Sequence, residues 1–466
     1  MRICFLVPDG VGLRNYLYSS ILDKFPEHAE IVLYTTLSEE IIEEVKKLHP
    51  KRNVVYKKME LYRESLMGKL LKEAITYARL RHYTSLDNND TTMINWTRKK
   101  QRGFSRLFFG LAAFTGKLFM KNYNSIVKFE KRYSRVIGSS SYVKAQKEIL
   151  KSMAPSVIFC THQRSMDAGA IVEAANQLNI PTIGAVYSWD NLPKARLLVR
   201  SHTYVVWSQI MKDEMLKYYP EVPEKDIIIT GTPQFEFYFN QKLHLSKEEF
   251  CSNIGLDPNK KILCFSGNDL TFPCDELYLK DLAEALMTLP EEERPQVLLR
   301  RCPVDLSGRF DAIVAQHPHL IKTSDPIWKS YKGGWDAIVP TPEDVALLVN
   351  TSLHADAVIN VGSTMAHDFA VFSKPAIYIN YDQPEITYWS AVTNNHYQHF
   401  RSMPAEDCVI WLNNKEEILN TVKKALNGDL PENIKSGRWF NVIALQPVTE
   451  ASENIANTIM DKAQAN

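Results

Sequence analysis

Apolar residues fall along this chain in short unbroken runs, and between the runs they recur at helical spacing. The first series of runs comprises Arg2 to Val7, Glu30 to Tyr34, Asn53 to Tyr56, Ser156 to Cys160, Pro181 to Tyr187, Thr203 to Trp207 and Asp226 to Thr230. Continuous apolar runs of about five residues between helical stretches predict parallel strands buried on both faces. The pattern recurs at Lys261 to Gly267, Gln296 to Arg300, Asp356 to Val361 and Pro375 to Asn380. A helix is expected over Asp275 to Leu289, where Leu279, Leu282, Ala283 and Leu286 share a face, acids fill the first turn and Pro290 follows. Thr341 is expected to cap another, with Pro342 at its first position and Glu343 and Asp344 in its first turn.

Two successive series of strand and helix predict an α/β chain of two doubly wound, Rossmann-like domains. The expected domains are residues 1–240 and 241–435, with the break in the polar stretch 237–258. A final helix is expected within 436–466, with Ile455, Ile459 and Met460 on one side. Residues of about 60–151 lack strand alternation and predict a helical insert in the first domain.

Length agrees with two domains, because 466 residues exceed the size at which one core keeps growing. A net charge of +1 gives no case for nucleic acid as a partner. The seven cysteines form no CxxC pair and no Cys/His cluster at ligand spacing, so neither a disulfide framework nor a metal site is expected. A strand from Arg2 leaves no room for a signal peptide, and no apolar stretch reaches the roughly 18 residues of a membrane span. A cytoplasmic protein is therefore expected. Charge changes the picture only in the insert, where Arg98 to Arg135 holds eleven Lys or Arg and one acid among the apolar patches LFFGLAAF and LFM. Two readings fit: a helical subdomain with a solvated basic face, or a basic amphipathic surface that meets anionic lipid headgroups or a lipid diphosphate acceptor on the inner face of a membrane.

The most informative stretch is VINVGSTMAHDFAVFSKPAIYINYD, Val358 to Asp382. It reads as a strand, a sharp turn, a short helix, a proline stop and a second strand. Ligands of open parallel sheets sit beyond the carboxyl ends of strands. Gly362 lets a ligand approach the backbone, Ser363 is placed to cap the helix, and free amides at the helix start favour an anion. Ser363 and Thr364 add hydroxyls. Asp368 lies on Thr364's face one turn on, where a carboxylate can take two hydrogen bonds from vicinal ribose hydroxyls. A diphosphate on the turn and a ribose on the acid make one nucleotide reading; a structural turn with a capping serine is the plain alternative.

The pattern Gly362-Ser363, Asp368, Lys374-Pro375 after a strand resembles the donor domain of GT-B fold glycosyltransferases and the related nucleotide-sugar 2-epimerases, in which the acid is usually Glu. ITGTPQFEFY (Ile229 to Tyr238) and VYSWDNLPKARLL (Val186 to Leu198) resemble segments of bacterial surface-polysaccharide transferases. LLRRCPVD sits where relatives often carry Arg and His-Pro; Cys302 replaces the His. The segment containing Thr341 and Glu343 resembles the part that flanks the donor base and phosphates. The resemblance implies two domains facing a cleft, the first binding acceptor and the second nucleotide sugar, with the C-terminal helix packing back on the first.

It also implies an inverting, metal-independent glycosyltransferase. The donor would be a nucleotide-diphosphate (or CMP) sugar and the acceptor a glycan or lipid-linked molecule in bacterial surface polysaccharide assembly, with no cofactor. Such an enzyme needs a base for the acceptor hydroxyl. Asp190 ranks first, His162 second and Asp9 third, each following a first-domain strand and each equally suited to a turn or cap. Gly10, Gly12, Trp189, Asn191 and Lys194 would line the acceptor side or cleft, with Lys194 and Arg196 as further candidates to clamp a diphosphate. Arg300 or Arg301 would clamp diphosphate or form a surface ion pair. His367 points away from Asp368 and reads as structural or substrate-lining. Asn394 to Phe400 either lines the donor sugar or forms a surface loop. Rival readings are a 2-epimerase, a CDP-polyol phosphotransferase and a non-catalytic nucleotide-binding partner.

Overall fold

A computed structural model describes residues 1–96, 103–197, 199–330 and 338–464. Its backbone divides into two units, Met1–Gln234 with Ile443–Asn466, and Phe235–Val442.

The first unit is built on seven parallel strands: β1 (Arg2–Val7), β2 (Glu30–Thr35), β3 (Asn53–Lys58), β4 (Val157–Cys160), β5 (Thr182–Ala185), β6 (Thr203–Val206) and β7 (Ile227–Ile229). Their order across the sheet is β3-β2-β1-β4-β5-β6-β7. Helices cover both faces, so β1, β4, β5 and β6 are buried almost throughout; this is why their sequences are unbroken apolar runs instead of alternating ones. Order reverses between β1 and β4, where Cys4 pairs Val32 on one side and Ile158 on the other.

Between β3 and β4 the chain runs through the helices Leu66–Asp87, Gly103–Phe119, Tyr123–Gly138 and Ser141–Met153. Ser65, Asn122 and Ser140 cap three of them by accepting amide hydrogens in the first turn. A buried ion pair ties these helices together. Arg79, fully buried, donates to both carboxylate oxygens of Glu130 at 2.5 and 2.7 Å and to the Tyr218 carbonyl at 2.9 Å. Its guanidinium lies 4.4 Å from the Tyr219 ring centroid. Arg200 adds a second contact to Glu130 at 2.9 Å.

The second unit has six parallel strands: β8 (Ile262–Ser266), β9 (Gln296–Arg300), β10 (Ile321–Thr323), and, beyond an antiparallel pair formed by β11 (Trp328–Ser330) and β12 (Ile338–Pro340), β13 (Ala357–Asn360), β14 (Ala376–Ile379) and β15 (Ile410–Leu412). The order is β10-β9-β8-β13-β14-β15, with the reversal between β8 and β13. One apolar core, containing Phe265, Leu282, Leu286, Leu299, Ile359 and Ile377, runs from this sheet to the helix Asp275–Met287.

The chain then returns to the first unit. Its last helix, Ala451–Gln464, buries Ile455, Ala456 and Ile459, and Ser452 meets Ser19 at 3.4 Å between hydroxyl oxygens. A Cβ at Gly231, whose φ is +76°, would lie 3.2 Å from Ala451 Cβ, so this helix rests on the turn after β7.

Candidate functional site

Each sheet has one topological switch point, and some of the nominated side chains lie at the carboxyl ends of the strands flanking it, where open α/β sheets bind ligands, while others follow β5, β9 and β12.

In the first unit the flanking strands are β1 and β4. Asp9 follows β1 and caps the short turn of helix Gly10–Gly12; its Oδ1 accepts the amide hydrogens of Val11 and Gly12, both at 3.1 Å. Gly12 allows that turn to press against β4, since a Cβ there would sit 2.3 Å from Thr161 Oγ1 and 3.2 Å from Val7 Cγ1. The close approach carries His162, just after β4, onto Asp9, and the second carboxylate oxygen bonds to His162 Nδ1. Tyr187, after β5, sets its ring edge-on to the imidazole at 4.1 Å between centroids. Three strand ends thus converge on an Asp–His pair in which both side chains keep about a fifth of their surface exposed. Burial pushes the Asp9 carboxyl up, but His162 and the two amides outweigh it, so the group lies below its usual range. With both oxygens of Asp9 engaged and Nδ1 of His162 held, Nε2 is the ring nitrogen left to act on a substrate proton.

The first-ranked base has a different setting. Asp190 Oδ1 accepts from Ser188 Oγ at 2.8 Å and Asn191 Nδ2 at 2.9 Å, while Oδ2 pairs with Lys194. Asn191 accepts from Gln163 at 3.3 Å, which joins this loop to the one carrying His162. Trp189 is buried beneath. Asp190 thus bonds within its own loop, to Ser188, Asn191 and Lys194. Arg196 pairs with Glu73 at 3.2 Å.

In the second unit the switch lies between β8 and β13. Gly362 ends the second of these with φ at +67°; a Cβ there would fall 2.7 Å from Phe400 Cζ, 2.9 Å from Asn394 Nδ2 and 3.3 Å from Asn395 Oδ1. Glycine is required both by the left-handed backbone and by the space. Ser363 follows: its amide donates to Asn360 Oδ1 at 2.7 Å, its carbonyl accepts from the Tyr378 hydroxyl at 3.1 Å, and its Oγ lies 3.5 Å from Ser266 Oγ at the end of β8. The buried polar atoms Asn360 Nδ2, Asn394 Nδ2 and Asn395 Oδ1 have no hydrogen-bond partner among the described residues. Buried polar atoms left without a partner suit polar atoms brought by a ligand.

Other expectations change in detail. The helix after the turn, Met365–Ala370, has only six residues, and Ser363 Oγ itself accepts the Met365 amide hydrogen at 3.3 Å, so the amide-lined helix mouth is smaller than the sequence suggested. Thr364 is exposed and Asp368 half-buried. Arg300 is buried and donates to Asp344 at 2.7 Å and to the Ser324 carbonyl at 3.2 Å; its guanidinium organises the core beside β9 instead of lying on a surface. Arg301 pairs with Asp311 at 2.7 Å and Asp325 at 3.2 Å. Thr341 caps the helix Pro342–His354 and also donates to the Ile327 carbonyl, whereas Glu343 is exposed. His367 is buried against Trp439 at 4.7 Å, and burial, then the neighbouring His399, pushes its pKa down to about 3. It is structural. Asn360, Asn394 and Asn395 were not singled out from sequence; the segment containing the last two was left between cleft and surface loop.

Among the described residues no three His, Cys, Asp or Glu side chains gather to hold a metal ion.

No family model matches the chain, and no curated protein matches it. Solved structures match it in fold over nearly its whole length. The UDP-GlcNAc 2-epimerase of Neisseria meningitidis, bound to UDP-GlcNAc, shares 10% identity and a TM-score of 0.52, covering 99% of this chain and 100% of that one. A putative UDP-N-acetylglucosamine 2-epimerase of Listeria monocytogenes gives 10% identity and 0.54, covering 100% and 97%. A glycosyltransferase of Rickettsia africae gives 10% and 0.53, covering 98% of each chain. The fold is thus the GT-B type that glycosyltransferases share with nucleotide-sugar 2-epimerases.

Proposed function

We propose that the protein is a glycosyltransferase that takes a sugar from a UDP-linked donor, with His162 as the base for the acceptor hydroxyl. The observation that carries the reading is the Gly362–Ser363 turn at the second switch point, with the buried Asn360 Nδ2, Asn394 Nδ2 and Asn395 Oδ1 atoms, which lack a partner among the described residues, on the same unit. Diphosphate oxygens could accept from Asn360 Nδ2 and Asn394 Nδ2, a sugar hydroxyl could donate to Asn395 Oδ1, and Asp368 is the nearest acid in sequence for the ribose. The UDP-GlcNAc bound by the Neisseria protein of the same fold supports a uridine nucleotide.

In this reading the chemistry is a displacement with inversion. Asp9 fixes the imidazole through Nδ1, and His162 Nε2 takes the hydroxyl proton as that oxygen attacks the anomeric carbon. The bond to the nucleotide diphosphate breaks as the new glycosidic bond forms, and the diphosphate leaves with the electron pair. A carboxylate-held imidazole is suited to this because the acid fixes its tautomer and stabilises the imidazolium formed.

A second reading, a UDP-sugar 2-epimerase, is supported by the two epimerases of the same fold. The two differ in their need for an acceptor. Incubation with UDP-GlcNAc alone in heavy water, followed by proton NMR, should leave the sugar unchanged; inversion and deuterium uptake at carbon 2 would decide for the epimerase. Isothermal titration should show UDP binding that Asn394→Ala weakens about tenfold, as loss of one hydrogen bond to a charged group costs roughly 1.5 kcal/mol. Absence of binding to UDP, GDP, CDP and CMP would reject both enzymes.

A further inference from the structure

The helix Gly103–Phe119 is packed in an unusual sense. Its buried face is made of small residues: Ala112 is fully buried, and a Cβ at Gly116 would lie 2.6 Å from the Ala74 carbonyl oxygen and 3.0 Å from Tyr77 Cδ1. Phe109 packs beside them on Trp96 at 5.7 Å between centroids, while most of the other large apolar side chains face outward. Phe104, Leu107, Leu111, Phe114 and Leu118, spaced three and four apart, form one stripe and are 43% to 74% exposed. A stripe of this size on the surface marks an interaction site.

Charge identifies the occupant. Arg106 and Lys117 are exposed along one flank of the stripe, and exposed Lys121 follows its end. Over residues 103–135 the chain carries seven Lys or Arg and one acid, and that acid, Glu130, is buried on Arg79. The exposed charge of residues 103–135 is therefore of one sign. A second copy docking here would set like charges against each other, which opposes association. An anionic bilayer accepts both features, with apolar side chains below the headgroups and cations beside the phosphates. At 17 residues the helix is about 25 Å long, and among the described residues no helix is long and apolar enough to cross a membrane. We infer that this helix lies in the headgroup region of an anionic membrane, with its Phe104–Leu118 stripe inserted and Arg106, Lys117 and Lys121 on lipid phosphates. The remaining basic positions of the expected patch, 98–102, lie outside the described residues. The inference rests on this face alone and stands whichever reaction the protein performs.

Flotation of the full chain with vesicles tests it. Vesicles of phosphatidylcholine with phosphatidylglycerol should recover the protein several-fold better than phosphatidylcholine alone, and added salt should erase the difference. Leu107→Glu with Leu111→Glu should cut recovery roughly tenfold or more, since two anchors are lost. Lys117→Glu with Lys121→Glu should remove the anionic preference. Both pairs are solvent-exposed, so circular dichroism and melting midpoints should match the parent. Equal recovery on both vesicle types, no recovery, or parental flotation by both double variants overturns the inference. A dimer by light scattering that Leu107→Glu with Leu111→Glu dissolves, without flotation, assigns the stripe to a second copy and also overturns it.

Discussion

Gly362 carries two demands at one position, a left-handed backbone and room for Phe400, Asn394 and Asn395 beside it. Gly362→Ala meets neither and should destabilise the second unit by about 1–3 kcal/mol, read as a lower urea midpoint, with loss of UDP binding. At the first switch point the roles of Asp9 and His162 separate by kinetics. His162→Ala should lower kcat by roughly 100-fold or more, while Asp9→Asn should lower kcat without raising KM for the nucleotide sugar, because Asp9 acts through the imidazole.

His367 makes a pH prediction. Its pKa in the folded chain is about 3, against 6.5 in an open chain. As pH falls below 6.5 the unfolded chain takes up a proton that the folded one refuses, so stability is complete above that value and declines toward pH 3. His367→Phe, which retains an aromatic ring beside Trp439, should flatten the fall in melting midpoint of the second unit over this range.

At this scale the sequence was half legible. Asp9 and His162 stood out singly, as polar residues at strand ends, but nothing in their 153-residue separation ties them. Their meeting depends on Gly12 lying on Thr161, which is tertiary. Arg300 was misjudged for a related reason: a guanidinium at a strand end reads as a ligand clamp unless its buried partner, Asp344, is seen. The asparagines around Gly362 left no signal, because a buried orphan amide and a loop asparagine look alike in one dimension.

Among elements, the strands that sit inside a sheet were readable because burial on both faces leaves unbroken apolar runs. The three-residue strands β10, β11, β12 and β15 were not, being short and of mixed composition, whereas β7, equally short, is three isoleucines in a row. The helices between β3 and β4 announced themselves by the absence of alternation, but the bond that joins them did not. Arg79→Ala would leave Glu130 buried with less of its charge matched, and should cost the first unit about 3–5 kcal/mol by chemical denaturation. The small-inside, large-outside helix Gly103–Phe119 shows why an apolar moment does not say which way a helix faces: closeness to Ala74 required Gly116, and that choice sent the bulky residues outward.

For the whole molecule, two units with separate cores predict two melting transitions by calorimetry, of which UDP should raise only the one belonging to the second unit. At 100 times its dissociation constant, the nucleotide should stabilise that unit by about 2.7 kcal/mol. Deleting 443–466 should abolish the other transition, since Ile455 and Ile459 are part of that unit's interior.

The return of the chain at residue 443 has a consequence for biogenesis. The body that begins at the N-terminus lacks its closing helix until more than two hundred intervening residues have been synthesised. On the ribosome the later-made body, contiguous in sequence, can therefore mature first, while the earlier-made one waits with an apolar seam uncovered, the state in which a nascent chain most needs a chaperone.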